Sequence, residues 1–206
     1  VECNIKETLS IGLVYYPIYS LGIGKRAGIW VQGCNFGCDG CIAEYSWDIK
    51  KGKLWKVTEL VEFVLKKMGT DCNGVTISGG EPFLQSKALL EFIIQLRKNG
   101  IYDIMVYSGY SYSHLRKKFP EILEKISALI TGRFKKGQET DLVWKGSANQ
   151  KMHILTKNSE LKMKYNEFKK LRTSKRSLQI IENEKKIFIV GIPDQKDTEV
   201  LKNGIQ

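Results

Sequence analysis

Apolar positions along this chain recur with two periods. Ile11-Gly-Leu-Val-Tyr-Tyr16 predicts an edge strand ended by Pro17, and Gly28-Ile-Trp-Val-Gln32 the first buried strand. Leu60, Val61, Val64, Leu65 and Met68 then recur at helical spacing behind Thr58, a capping residue with Glu59 in the first turn. Gly74-Val-Thr-Ile-Ser78 is a short buried strand. Leu89, Leu90, Ile93 and Leu96 define an inward helix face over about 86–98 that stops at Asn99-Gly100. Asp103-Ile-Met-Val-Tyr107 predicts a strand, a helical region broken by Pro120 follows, and Ala128-Leu-Ile130 is the next strand. Strands alternating with helices predict an α/β fold with a mainly parallel sheet.

The last fifty residues follow a different pattern. Leu161, Tyr165 and Phe168 share a face among lysines and arginines, which predicts an amphipathic basic helix over 159–172. Ser177–Ile181 and Lys186–Val190 are alternating, β-branched runs joined by Glu182-Asn-Glu-Lys185, a hairpin pattern, and the tail after Pro193 is polar. The expected organisation is one domain over 1–206, with a core over about 20–155 and a C-terminal helix-and-hairpin extension over about 156–206.

Polar residues sharpen this picture where strands end. Cys34-Asn-Phe-Gly-Cys38-Asp-Gly-Cys41 follows one strand, Gly79-Gly80-Glu81-Pro82 another, Ser108-Gly109 a third and Thr131-Gly132-Arg133 a fourth. In parallel α/β sheets ligands bind beyond the carboxyl ends of the strands, so the four segments are expected at one rim. Clustered thiolates select an iron–sulfur centre, zinc or copper(I). Structural zinc needs a fourth ligand, and Cys3, Cys72, His114 and His153 all lie far off in sequence. Copper chaperones typically offer two sulfurs. The spacing therefore favours an iron–sulfur centre over zinc. Three sulfurs on a four-iron cluster leave one iron open to a small molecule.

Composition removes several classes. Five cysteines, three of them bunched, do not make a disulfide framework, and point to a reducing, cytoplasmic setting. No eighteen-residue apolar stretch and no leader pattern appear, so no membrane partner is expected. Of the net charge of +11, residues 151–176 carry nine Lys or Arg against Glu160 and Glu167, net +7. That stretch suits a solvated helix face, an acidic protein, a nucleotide or a nucleic-acid backbone.

Cys34-x3-Cys38-x2-Cys41 followed by Ser78-Gly79-Gly80-Glu81-Pro82 resembles the radical S-adenosylmethionine enzymes. Gly40, Trp47, Tyr107-Ser-Gly-Tyr110, Thr131-Gly-Arg-Phe134 and Trp144-Lys-Gly-Ser-Ala-Asn-Gln150 with His153 narrow the likeness. Over about 20–155 they resemble the glycyl-radical activases of anaerobic ribonucleoside-triphosphate reductases. The chain departs from the family at Thr131, often acidic there, and at Arg133, often lysine. The resemblance implies a partial, open β/α barrel and two cofactors, a [4Fe-4S] cluster on Cys34, Cys38 and Cys41, and S-adenosylmethionine. It further implies that Gly79, Gly80 and Glu81 meet the methionine ammonium, Ser108 and Arg133 its carboxylate, and the backbone at Gly40 and Ile42 adenine. The implied partners are a glycyl-radical enzyme like anaerobic ribonucleotide reductase and a flavodoxin- or ferredoxin-type reductant. Two alternatives stand beside this reading. One is a radical enzyme acting on a nucleotide, nucleic acid or peptide. The other is a non-catalytic iron–sulfur or zinc module, against which the Gly-Gly-Glu turn argues.

Overall fold

A computed structural model of the chain describes residues 8–69, 71–183, 186–194, 197, 198 and 200. Cys3 and the hairpin tip at 184–185 lie outside these. The strands and helices, in order, are β1 (Thr8–Ile18), β2 (Arg26–Val31), β3 (Lys53–Lys56), α1 (Val57–Met68), β4 (Gly74–Gly79), α2 (Ser86–Lys98), β5 (Ile104–Ser108), α3 (Tyr112–Lys118), α4 (Pro120–Leu123), β6 (Ala128–Thr131), β7 (Lys151–Ile154), α5 (Ser159–Lys170), β8 (Gln179–Asn183) and β9 (Lys186–Val190).

A seven-stranded sheet runs β3-β1-β2-β4-β5-β6-β7, and β8-β9 form a separate two-stranded sheet. The centre is parallel, with β2, β4, β5 and β6 in register through pairs such as Trp30↔Ser78, Ile77↔Val106 and Val106↔Leu129. The flanks β3, β1 and β7 are antiparallel. The fold is thus mixed α/β with a mostly parallel central sheet.

Side chains on successive strand positions go to opposite faces. Ala27, Ile29 and Val31, Val75 and Ile77, Ile104 and Val106, and Leu129 all point to one face. There they pack against Leu60, Val64, Leu89, Phe92, Ile93 and Leu96 of α1 and α2. The alternate positions, among them Trp30, Met105, Tyr107 and Ile130, face the other way. They are covered by Trp144, Tyr165 of α5, and Ile181 and Val190 of the hairpin. The C-terminal extension therefore supplies the second layer over the sheet. Among the described residues no helix is long and apolar enough to cross a membrane.

Three local expectations change. β1 continues through Pro17 to Ile18 and is flanked by β3, so it is not the edge. Its register with β2 shifts between Tyr15 and Ile18, an irregularity of the kind that accommodates a residue without an N–H. β3 is the edge, a Lys-Leu-Trp-Lys segment whose flanking lysines suit an exposed strand and hide it from a hydrophobic pattern. Finally, α1 begins at Val57 after Lys56, which makes no side-chain capping bond, so Thr58 lies inside the helix.

The Gly22–Arg26 segment leads into β2 and buries Arg26 completely. Its guanidinium donates to Asp103 Oδ2 at 2.5 Å, Thr76 Oγ1 at 2.7 Å and the Val75 carbonyl at 2.8 Å. The Tyr165 hydroxyl donates to the other carboxylate oxygen of Asp103 at 2.5 Å. This network joins β2, β5 and α5 at the amino-terminal end of the parallel strands, opposite the rim described next.

Candidate active site

The cysteine loop leaves β2 and is pinned at its base by backbone bonds. Gly33 N–H donates to Ser46 O at 2.7 Å and Cys34 N–H to Trp47 O at 3.0 Å, while Gln32 Nε2 donates to Tyr45 O at 2.6 Å. The neighbouring turn is stitched to the same base: Gly80 N–H donates to Val31 O and Glu81 N–H to Gly33 O, both at 2.8 Å. These contacts explain the glycine pair. A Cβ at Gly80 would lie 2.2 Å from the Gly33 carbonyl oxygen, and Gly79 adopts φ +99° with Val31 O 2.4 Å from where its Cβ would be. Only glycine lets the turn sit against the loop that carries the thiols.

Cys34, Cys38 and Cys41 are free, partly buried thiols that line one cleft of about 590 Å³. The same cleft is lined by Gly40, Ile42, Gly79, Gly80, Glu81, Ser108, Gly109, Gly132 and Arg133. Every site residue expected from the sequence thus meets at one rim. Burial raises the Cys34 and Cys41 thiols above their ordinary value, so both hold their protons until a metal displaces them.

The side chains are arranged differently from their simplest reading. Glu81 is only 1% exposed, and its carboxylate ties strand ends together rather than facing the open cleft. It accepts from Phe83 N–H at 3.0 Å, from Ser108 Oγ at 3.0 Å to each oxygen, and from Gly109 N–H at 2.7 Å. Burial lifts Glu81 to about 7 against the opposing pull of those donors. It also caps the short turn Pro82–Gln85. Ser108 Oγ is committed to Glu81 and accepts from Tyr110 N–H. Arg133 is exposed, and its guanidinium stacks 4.4 Å above Phe36, the ring between Cys34 and Cys38. It makes no ion pair among the described residues.

The other candidate ligands are placed elsewhere. Cys72 Sγ lies at the opposite rim, beside the Lys25 and Gly74 carbonyls. His114 is exposed and stacks on Tyr110, centroids 4.6 Å apart. His153 stacks on Tyr112 at 4.1 Å and meets Thr131 Oγ1 at 2.9 Å through Nε2. Burial first, then Lys169 and Lys151, lower the His153 pKa and keep the ring neutral. Thr131, 4% exposed, is therefore a partner of His153 within the β6–β7 pair. Among the described residues no three His, Cys, Asp or Glu side chains close around a single ion.

The basic stretch 151–176 is partly structural. Lys164 pairs with Glu160 at 2.6 Å and Arg172 with Asp141, while Arg176 donates to the carbonyls of Leu142 at 2.8 Å and Thr140 at 2.6 Å. A second cleft, about 550 Å³, lies between α5 and the Gly22–Gly24 turn and contains none of the cysteines.

One part of the rim had no sequence signal. Ile189, Gly191, Ile192, Pro193 and Asp194, on and beyond β9, line the cysteine cleft. The polar tail pattern gave no hint of this, because the placement depends on the hairpin packing Ile181 and Val190 onto Trp30.

The donor set fits an iron–sulfur cluster. Three thiols share one cleft, the remaining wall offers backbone and hydroxyl groups in place of a fourth sulfur, and a glycine-lined floor leaves room for a ligand.

Sequence comparison agrees with that chemistry. The profile of the 4Fe-4S single cluster domain family matches residues 20–153. The anaerobic ribonucleoside-triphosphate reductase-activating protein of Haemophilus influenzae is 35% identical over 148 residues, covering 68% of this chain and 96% of that protein. The protein of the same name from Enterobacteria phage T4 is 26% identical over 134 residues, 64% of this chain and 85% of its own length. A pyruvate formate-lyase-activating enzyme from Clostridium pasteurianum is 30% identical over 130 residues, 62% of this chain and half of its own. The chain belongs to the family of anaerobic ribonucleoside-triphosphate reductase-activating proteins, within the 4Fe-4S single-cluster class.

Proposed function

We propose that this chain is a radical S-adenosylmethionine activase that generates a glycyl radical on an anaerobic ribonucleotide reductase-like partner. The observation that carries this is the single cleft shared by Cys34, Cys38, Cys41, the Gly79-Gly80-Glu81 turn, Ser108 and Arg133. When bound, a cluster and S-adenosylmethionine together supply one-electron cleavage of the C5′–S bond, giving methionine and a 5′-deoxyadenosyl radical able to take a hydrogen atom from glycine.

The chain's own residues bind, orient and enclose. Cys34, Cys38 and Cys41 would hold the cluster as thiolates. The backbone of Gly79 and Gly80 receives the ammonium, with Glu81 holding that backbone in place through Ser108 and Gly109. Arg133 swings from Phe36 to give a carboxylate a two-pronged donor. The backbone at Gly40 and Ile42 meets adenine, and walls on two sides exclude water from a radical. In this reading the sheet is the curved wall of an open β/α barrel, the core covers about 20–155, and 156–206 is an extension of one domain. The electron comes from a flavodoxin- or ferredoxin-type donor in a reducing cytoplasm.

Anaerobic reconstitution tests this reading. Iron and sulfide near four each per chain, 5′-deoxyadenosine formed from S-adenosylmethionine, and a glycine-centred radical in the partner by electron paramagnetic resonance are the expected results. A Cys38→Ala variant that keeps a full cluster and cleaves S-adenosylmethionine would sink the assignment.

A further inference from the structure

From the packing of the C-terminal extension, we infer that the β8–β9 hairpin is the docking surface for the polypeptide segment bearing the substrate glycine, received as an added strand along the hairpin. The inference rests on the activase reading and names how its substrate is held.

The hairpin has two unlike faces. Its register pairs Ile180 with Ile189, Ile181 with Phe188 and Glu182 with Ile187. One face, with Ile181 at 3% exposure and Val190 at 1%, packs onto Leu13, Ile18, Leu21 and Trp30 of the sheet. The opposite face carries Ile180, Ile187 and Ile189 with exposed Glu182 among them, and there Ile180 is 77% and Ile187 72% exposed. Alternation in a half-buried strand puts polar residues outward, so isoleucines on an outward face mark a surface meant to be covered.

Its position says what covers it. Ile189 belongs both to this isoleucine face and to the lining of the cysteine cleft, and Gly191, Ile192 and Asp194 continue the wall inward. The isoleucine face thus borders the cleft. Gln179 ties the hairpin to the end of β1, accepting from Tyr19 N–H at 2.7 Å and donating to Pro17 O at 3.1 Å. The surface is therefore fixed relative to the rim. β8 and β9 pair only with each other among the described residues, so each keeps a strand edge free for main-chain bonds.

The chemistry of the substrate matches these features. A glycine offers no side chain to grip, so an enzyme acting on its α-carbon must recognise the main chain and the flanking residues. Strand addition does both, with backbone bonds for register and alternate side chains against an apolar face. The family profile ends at residue 153, so the hairpin lies outside the span that the cluster domain matches.

The test uses the full chain with Ile180 and Ile187 both changed to Asp, positions exposed enough to leave folding and the cleft untouched. The probes are the glycyl-radical subunit of an anaerobic ribonucleoside-triphosphate reductase and a fifteen-residue peptide spanning its radical glycine. Expected results are at least a tenfold rise in the partner concentration giving half-maximal glycyl radical, with iron content and partner-free 5′-deoxyadenosine formation unchanged. Peptide affinity for the anaerobically reconstituted protein, read by fluorescence anisotropy, should fall by a similar factor. Wild-type amides over 186–190 should exchange more slowly with peptide bound, which mere stickiness would not produce. Unchanged half-saturation and unchanged peptide affinity overturn the inference, as does a peptide that fails to bind the wild type. If the wild type forms no glycyl radical, the activase reading fails by itself, and the peptide arm still decides for or against the hairpin.

Discussion

Gly80→Ala isolates the contact on which the cleft depends. Gly80 lacks a positive φ, so alanine there is not strained by its backbone conformation; the cost is collision alone. The new methyl would sit 2.2 Å from the Gly33 carbonyl oxygen and 2.8 Å from its carbon, where real Cβ contacts stay beyond 3.0 Å. The two backbones must separate by about 0.8 Å, the difference between 3.0 and 2.2 Å. Both Gly80 N–H to Val31 and Glu81 N–H to Gly33 oppose that separation. Overpacking of this kind costs about 1–3 kcal/mol of stability. The functional loss is of the same size, because Gly33 leads directly into Cys34, and displacement of a site by ~1 Å costs about a hundredfold in rate, or about 2.7 kcal/mol. The assay compares 5′-deoxyadenosine formation and iron content after anaerobic reconstitution, with thermal unfolding alongside. Gly69→Ala is the control: Gly69 has φ +58° and ψ −149°, a region confined to glycine, with nothing within 4 Å of an added Cβ, so it should lose about 1–3 kcal/mol of stability and no activity per cluster. Gly80→Ala with wild-type turnover and wild-type melting would refute the reasoning, since the loop would then tolerate the shift freely.

Other expectations follow from buried polar groups. Glu81→Gln keeps the shape but turns an amide N–H2 toward either the Phe83 or the Gly109 N–H, so stability at pH 4, where the folded Glu81 keeps its proton, should fall by about 1–3 kcal/mol in urea unfolding. Glu81 keeps its proton up to about 7 when folded but only to about 4.5 when unfolded. Its contribution is therefore complete below pH 4.5 and is lost as pH rises through 7, a fall on the order of 3 kcal/mol that the Gln variant should abolish in urea melts across pH 4–8. Asp103→Leu leaves Arg26 wholly buried without its carboxylate and should cost about 3–5 kcal/mol, read as a lowered urea midpoint. Cys72→Ser should retain the full iron content of the wild type, because that sulfur lies at the opposite rim.

Sequence and structure agree where local pattern decides. Helix α2 keeps its expected bounds of 86–98, because its apolar period and its Asn99-Gly100 stop both lie within the segment. The four rim segments were legible for the same reason, each following a recognisable buried strand. What escaped depends on distant partners. β3 and β7 are short and lysine-bearing, and only their neighbours make them strands. Nothing local marks Arg26 as buried; Asp103 and Thr76, 77 and 50 positions away, enclose it. Glu81 was legible as a site residue, but its inward orientation toward Ser108 was not. The hairpin was visible as a hairpin, yet nothing local indicated that Ile189–Asp194 would reach the cysteines.

The Arg26–Asp103–Tyr165 network gives the molecule two ends of different character. At its own end, a buried ion pair and a phenol clamp a strand pair and α5 together; at the other, glycine turns and free thiols surround an open cleft. The main apolar core contains none of the three cysteines of the cleft. Its packing is therefore separate from whatever the thiols bind, unlike small domains whose structure is the metal's doing.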